Sequence, residues 1–130
     1  MRLLLLWTLA LQLMAIEWEA SYTRAKEKAA QQNKPIFFLL SQRQCGWCDY
    51  YQEHTLRDPQ LSEYLEKHFI CLKLYSEDEA YPPALTADAS PATWFLDTKG
   101  KPMFQASYGA LKVKALKRYL HAVEVKFAGN

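Results

Sequence analysis

Apolar and polar residues alternate along this chain in blocks that predict helices and strands in turn. Between residues 17 and 33, apolar side chains such as Trp18 and Tyr22 recur every three or four positions among charged ones, a spacing typical of an amphipathic helix. Asn33-Lys34-Pro35 ends this pattern. The uninterrupted apolar run over residues 36–40 then predicts a strand that is covered on both faces.

The middle of the chain repeats this order of helix and strand. A helical pattern follows residue 45 to about residue 54, and a second helix is predicted over residues 59–68, because Asp58-Pro59 is a favourable helix start. Residues 69–75 are mostly apolar and predict another strand. Residues 76–90 are acidic and contain prolines, which indicates a connection between two elements.

The last third of the chain predicts a hairpin and a closing helix. Residues 93–97 and 103–107 flank the turn-forming segment 98–102. The closing helix is predicted from about residue 111. Its apolar stripe consists of Leu116, Tyr119, Leu120, Val123 and Phe127. This order of elements, without an internal repeat, predicts a single α/β domain in which helices flank a small central mixed sheet.

The first residues form an apolar block that differs from the rest. Arg2 supplies one early positive charge, and an almost unbroken apolar run extends to Ile16. This pattern predicts a signal peptide over residues 1–15 and a domain over residues 16–130, so we expect export to a periplasm or secretion from the cell. The run is shorter than the roughly 20 residues of a membrane-spanning helix, so no stable membrane span is expected. The alternatives are a retained short membrane anchor and a buried first segment of the core.

Composition narrows the class of protein. With 130 residues, half of them hydrophobic, the chain can bury one sizeable core. A formal net charge of +2 without a basic block argues against a nucleic-acid partner. Two of the three cysteines are spaced as CxxC, which points to redox chemistry or to a metal site. A four-ligand zinc site needs a second ligand pair at a recognisable spacing, and the sequence has none, so neither a metal nor another cofactor is expected.

The chemistry is expected in the motif Cys45-Gly46-Trp47-Cys48. A cysteine attacks as the thiolate, and the N-terminus of a helix stabilises that charge, so Cys45 is assigned as the attacking thiol. Cys48 lies one turn deeper on the same face and is assigned as the resolving thiol. Gly46 keeps the backbone accessible to an incoming sulfur, and Trp47 is expected to contact substrate. The third cysteine, Cys71, lies within a predicted strand and is expected to be structural.

Several motifs in order give the chain a family resemblance. It resembles the thioredoxin superfamily, and within it a secreted thioredoxin-like branch. The matching residues are Trp18, Ser21, Tyr22, Lys34-Pro35-Ile36, Cys45-Gly46-Trp47-Cys48, Asp58-Pro59, Ser90-Pro91 and the segment from Asp97 to Gly100. The resemblance implies a thioredoxin fold with Pro91 in the cis form facing the redox pair. It also implies that the backbone of Ser90 pairs with a bound substrate strand.

One position departs from the family pattern. Thioredoxins carry a buried acid six residues before the first motif cysteine, where it assists proton transfer at the second cysteine. The same offset here gives Leu39. Glu53 or an acid of the run at residues 77–79 could take over this role, and the sequence does not decide between them.

The expected function is thiol–disulfide exchange by an enzyme. Its partners would be the thiols or disulfides of exported proteins, together with an upstream redox partner. The resemblance favours the reductase or disulfide-repair direction over oxidation. The alternative is a binding or chaperone-like module of the same fold, in which the disulfide between the motif cysteines is structural and does not turn over.

Overall fold

A four-stranded mixed sheet organises residues 15–129, the part of the chain that the computed structural model describes. The strands lie in the order β2-β1-β3-β4, with β1 parallel to β2 and the other neighbours antiparallel. They span β1 (Ile36–Ser41), β2 (Ile70–Tyr75), β3 (Ala92–Leu96) and β4 (Ser107–Tyr108). The helices are α1 (Tyr22–Gln32), α2 (Gly46–Tyr50), α3 (Pro59–His68) and α4 (Val113–Ala128). The predicted α/β fold with a central mixed sheet is confirmed.

The central strand β1 is buried along its whole length, as its apolar run predicts. Successive side chains of a strand point to opposite faces of the sheet. Phe37 and Leu39 therefore pack into one cluster, which α3 and α4 complete. Phe38 and its even-numbered neighbours pack into a second cluster against Ala25 of α1. Two hydrophobic layers thus hold the sheet between helices.

The first helix begins later than its hydrophobic spacing predicts. The prediction of a helix from residue 17 is wrong at its start, because α1 begins at Tyr22. Glu19 instead pairs with the edge of β2, where its N–H donates to Cys71 O at 2.8 Å. Ser21 then caps the helix by accepting a hydrogen bond from Arg24 N–H, which fixes the starting residue.

The helices after the motif agree more closely with the predicted ones. α2 continues into a π-helical turn (Tyr51–Thr55), which ends one residue past the predicted limit. α3 covers the predicted residues, and the carboxylate of Asp58 accepts from Leu61 N–H at 3.0 Å. α4 begins at Val113, two residues late. Within residues 15–129, no helix is long and apolar enough to cross a membrane.

The predicted hairpin forms, but its second strand is short. Only Ser107 and Tyr108 make up β4, and they pair with the first two residues of β3. Residues 103–106 leave the sheet after a single bridge between Leu96 and Pro102, so the strand predicted over residues 103–107 is mostly wrong. The signal peptide predicted over residues 1–15 lies outside the described residues except for its last position, and it stays a prediction.

Candidate redox site

Cys45 and Cys48 form a disulfide at the start of α2. Their Cα atoms are 5.3 Å apart, and Cys45 is the N-cap of the helix. The N–H of Cys48 donates to Cys45 Sγ at 3.2 Å, and the N–H of Asp49 donates to Cys45 O at 3.1 Å. The Cys45 sulfur therefore receives a backbone donor at the positive end of a helix, which is the environment that stabilises a thiolate.

The two sulfur-bearing residues differ in access to solvent. Cys45 is half-buried, whereas Cys48 is only 1% exposed. Between them, Gly46 is exposed and Trp47 is 66% exposed. An incoming sulfur can thus approach Cys45 far more readily than Cys48. This asymmetry agrees with the roles assigned from the sequence, which stay predictions.

Pro91 lies at the same end of the sheet as the motif. β1 ends at Ser41 just before the motif, and its residue Leu40 pairs with Ala92, the first residue of β3. The peptide bond between Ser90 and Pro91 is cis, as the resemblance implies. Pro91 O also accepts a hydrogen bond from the N–H of Gly109 at 2.8 Å, which ties this loop to the end of β4.

Exposed aromatic side chains gather around this end of the molecule. Among residues 15–129, the large exposed hydrophobic side chains are Trp47, Tyr50, Tyr108 and Val125. The rings of Trp47 and Tyr50 meet edge to face, with centroids 5.7 Å apart. Tyr108 pairs with Ala92, the residue that follows Pro91. Trp47 and Tyr50 therefore lie on the motif and its helix, and Tyr108 lies beside the proline loop. Sequence reasoning identified only Trp47.

The loop before the motif is held by an arginine that sequence reasoning missed. The guanidinium of Arg43 binds both carboxylate oxygens of Asp78 at 2.8 and 2.9 Å, and its backbone N–H donates to Glu77 Oε2 at 2.9 Å. The hydrogen bond from Arg43 holds the pKa of Asp78 below its usual value. Both acids are exposed and engaged by Arg43, and Glu53 is exposed too. No aspartate or glutamate between residues 15 and 129 is buried, so none of the candidate acids replaces a buried carboxylate.

The interior behind the motif carries hydroxyl groups instead of a carboxylate. Leu39 is 1% exposed, and its register partner on β3 is Thr93. Tyr51 Oη and Thr93 Oγ1 lie 3.2 Å apart. Burial raises the pKa of Tyr51, so this hydroxyl keeps its proton. Sequence reasoning missed this pair, because its members are 42 positions apart.

Cys71 is buried, as expected of a structural residue. Its thiol points toward Leu65 O at a sulfur–oxygen distance of 3.8 Å. Burial raises the pKa of Cys71, which keeps the thiol protonated and unreactive. No cluster of three or more metal-ligating side chains occurs in the described part of the chain.

Comparison with known proteins identifies a matching family and distant relatives of known name. The model of the Thioredox_DsbH family, described as a protein of unknown function (DUF255), matches residues 7–128. Spermatogenesis-associated protein 20 of Mus musculus is 26% identical over 99 residues, which cover 72% of this chain and 12% of that protein. Its Homo sapiens counterpart is 25% identical over 99 residues, which cover 72% and 13%. The chain spans about an eighth of the length of these curated relatives.

Solved structures share the fold at low sequence identity. A thioredoxin from Thermus thermophilus superposes with a TM-score of 0.75 at 19% identity, covering 89% of this chain and 94% of that one. A structure described as DsbH oxidoreductase superposes with a TM-score of 0.61 at 20% identity, covering 87% and 85%. The thioredoxin fold that the resemblance implies is therefore confirmed.

Proposed function

The chain belongs to the Thioredox_DsbH family of the thioredoxin superfamily, and from this membership we propose that it is a thiol–disulfide oxidoreductase that reduces disulfides of exported proteins. The thiolate of Cys45 attacks a substrate disulfide, forms a mixed disulfide and releases one substrate sulfur as a thiolate. Cys48 then attacks the Cys45 sulfur, releases the second substrate sulfur and closes the internal disulfide. Two electrons pass to the substrate, and an upstream dithiol donor restores them.

The observation that carries this proposal is the unequal burial of a disulfide at a helix N-terminus. Cys45 is accessible and receives the N–H of Cys48 at 3.2 Å, while Cys48 is 1% exposed. An accessible sulfur suits the step in which a large substrate approaches. A buried neighbour suits the intramolecular step, which needs no access from outside. A disulfide with only a structural role requires neither feature.

Exposed aromatic side chains on the motif helix and beside the proline loop support a polypeptide substrate. Trp47, Tyr50 and Tyr108 are 66%, 44% and 50% exposed. Apolar side chains exposed together in this way mark an interaction surface. A small thiol such as glutathione would leave most of this surface uncovered, whereas a polypeptide segment that flanks a cysteine would cover it. Ser90 and Pro91, beside Tyr108, are proposed to line the same substrate path.

The proposal is tested by turnover and by trapping. The reduced protein should reduce a disulfide-containing protein such as insulin with dithiothreitol as the donor. Cys48→Ala should accumulate a mixed disulfide through Cys45, and the matched control Cys45→Ala should accumulate none. Two results together would instead support the binding or chaperone-like alternative. Dithiothreitol would reduce the wild-type disulfide only under unfolding conditions, and Cys48→Ala would trap no mixed disulfide.

The proposal of export depends on the apolar segment that precedes the described residues, and it is independent of the redox chemistry. We propose that residues 1–15 direct the chain out of the cytoplasm and are then removed. Fractionation of cells that express the full chain, with N-terminal sequencing of the product, tests this directly. A product that keeps Met1 and stays in the cytoplasm would refute export without affecting the redox chemistry.

A further inference from the structure

Two buried hydroxyl groups lie on the interior side of the redox site. Tyr51 and Thr93 are 0% and 1% exposed, and their oxygens are 3.2 Å apart. Each hydroxyl can donate one proton, and the hydrogen bond between them uses only one of the two. Neither hydroxyl makes a second hydrogen bond within residues 15–129. One buried O–H group is therefore left to donate elsewhere, and a buried donor without a partner is costly.

Tyr51 lies one helical turn after Cys48, on the side of the helix that faces the interior. Tyr51 follows Cys48 by three residues, and its backbone N–H donates to Cys48 O. Both residues are buried, and residues three apart share one face of a helix. Helical side chains lean toward the helix N-terminus, which for Tyr51 is the direction of the turn that contains Cys48. Its hydroxyl ends at Thr93, two residues beyond Pro91.

In the second chemical step, a negative charge is carried by the sulfur of Cys48. Cys48 attacks as a thiolate, and its burial leaves little water to solvate the negative sulfur. A buried charge needs a hydrogen-bond donor or an opposite charge. Because no carboxylate is buried in the described part of the chain, proton transfer to a buried acid does not serve this step. The cation nearest this layer is Lys73 on β2, and its ammonium group donates to Gln52 Oε1 at 3.2 Å. The unused O–H group is therefore the donor that remains for the thiolate.

We propose that the Tyr51–Thr93 hydroxyl pair donates a hydrogen bond to the Cys48 thiolate and thereby accelerates its attack on the mixed disulfide. This inference rests on the proposed function. In the step, a bond forms between the two cysteine sulfurs, the bond from Cys45 to the substrate sulfur breaks, and the substrate leaves as a thiolate that takes a proton from water. The hydroxyl pair keeps both of its protons throughout, because it acts as a donor and not as a base.

The test separates the two steps in time. Reduced protein is mixed with less than one equivalent of dithiobis(nitrobenzoate), and the release of coloured thiol is followed by stopped flow. The first release reports attack by Cys45, and the second reports attack by Cys48. We expect Tyr51→Phe and Thr93→Val to slow the second release about threefold to tenfold at pH 7 and to shift its pH profile upward. The first release should be unchanged. The variant that slows the second release more identifies the hydroxyl that faces the Cys48 sulfur.

Matched variants distinguish this role from a structural one. Thr55→Val removes another buried hydroxyl, which donates to Leu111 O at 2.6 Å, and should leave both releases unchanged. Ser41→Ala removes the buried hydroxyl at the end of β1 and should also have no effect. Thr93→Ser keeps the hydroxyl and should restore the wild-type second release.

Three results would overturn the inference. Wild-type pH profiles in both pair variants would show that the hydroxyl pair does not act on the thiolate. A slow second release in Ser41→Ala alone would assign the donor to that serine. A wild-type protein that releases only the first thiol would refute the two-step cycle and with it the proposed function, whereas the first two results leave that function intact.

Discussion

Leu39→Asp would place a carboxylate in the middle of β1, directly opposite Thr93. Residues opposite each other on antiparallel strands share a face, so this carboxylate would enter the layer that holds the Tyr51–Thr93 pair. There it could accept the proton of Cys48 in the second step. We expect the variant to reduce disulfides faster at neutral pH than the wild-type protein.

The same substitution should lower stability by an amount that the structure bounds. Leu39 is 1% exposed, and removal of a buried leucine side chain costs about 2–5 kcal/mol. A poorly compensated buried polar group costs about 1–3 kcal/mol more. Lys73, the register partner on β2, offers a nearby cation that offsets part of this cost. We therefore expect a loss of at least about 3 kcal/mol, which corresponds to a fall in Tm of about 10 °C or more for a domain of this size.

Leu39→Asn is the matched control for this experiment. Its side chain has nearly the size of aspartate and disturbs the core similarly, but it cannot accept a proton. Burial would raise the pKa of the introduced carboxyl above its unfolded value, so the native state would favour the protonated form. The stability of Leu39→Asp relative to the control should then fall as pH rises from the unfolded pKa of about 3.9 through the higher folded one. Equal reductase rates for both variants at every pH would refute the reasoning.

Further outcomes follow from three other features. In the reduced protein, iodoacetamide should modify Cys45 about tenfold faster than Cys48, as measured by peptide mass mapping, because only the first is accessible. Arg43→Gln should lower the urea midpoint at pH 7 but not below about pH 3, because the lowered pKa of Asp78 gives stability that is lost as pH falls through the folded value. Gly100→Ala should cost at least about 1–2 kcal/mol, because φ is +83° and the new Cβ would meet a tyrosine hydroxyl of α1.

Each of these three predictions would be contradicted by a specific result. Faster labelling of Cys48 would reverse the assigned roles of the two thiols. A urea midpoint that differs equally at every pH would mean that Arg43 acts through packing and not through its ion pair. Gly46→Ala is the control for Gly100→Ala, because a Cβ at Gly46 meets no atom within 4 Å. Equal loss of stability in the two alanine variants would contradict the steric explanation.

The sequence predicts elements wherever local rules decide them. Asp58-Pro59 fixes the start of α3, and the apolar run over residues 36–40 identifies the central strand, because capping and periodicity act within a few residues. The start of α1 and the length of β4 depend on partners far along the chain. Glu19 joins β2 more than 50 residues away, so its helical spacing does not make it helical.

Some residues of the candidate site can be predicted from the sequence, and others cannot. The cysteines, Trp47 and the proline loop stand in contiguous motifs that can be read directly. Arg43 and Asp78 are 35 positions apart, and only the folded sheet brings their loops together. The Tyr51–Thr93 pair likewise joins a helix to a strand, so neither residue alone signals a role near the redox pair.

The pairing of Glu19 with β2 has a consequence for solubility. An open strand edge offers free N–H and C=O groups to any other extended chain, and it is a common starting point for aggregation. Glu19 occupies that edge by donating to Cys71 O and by accepting from the N–H of Lys73 at 3.1 Å. At the opposite edge, β4 is only two residues long. The sheet thus presents little open strand edge on which copies of this chain could polymerise.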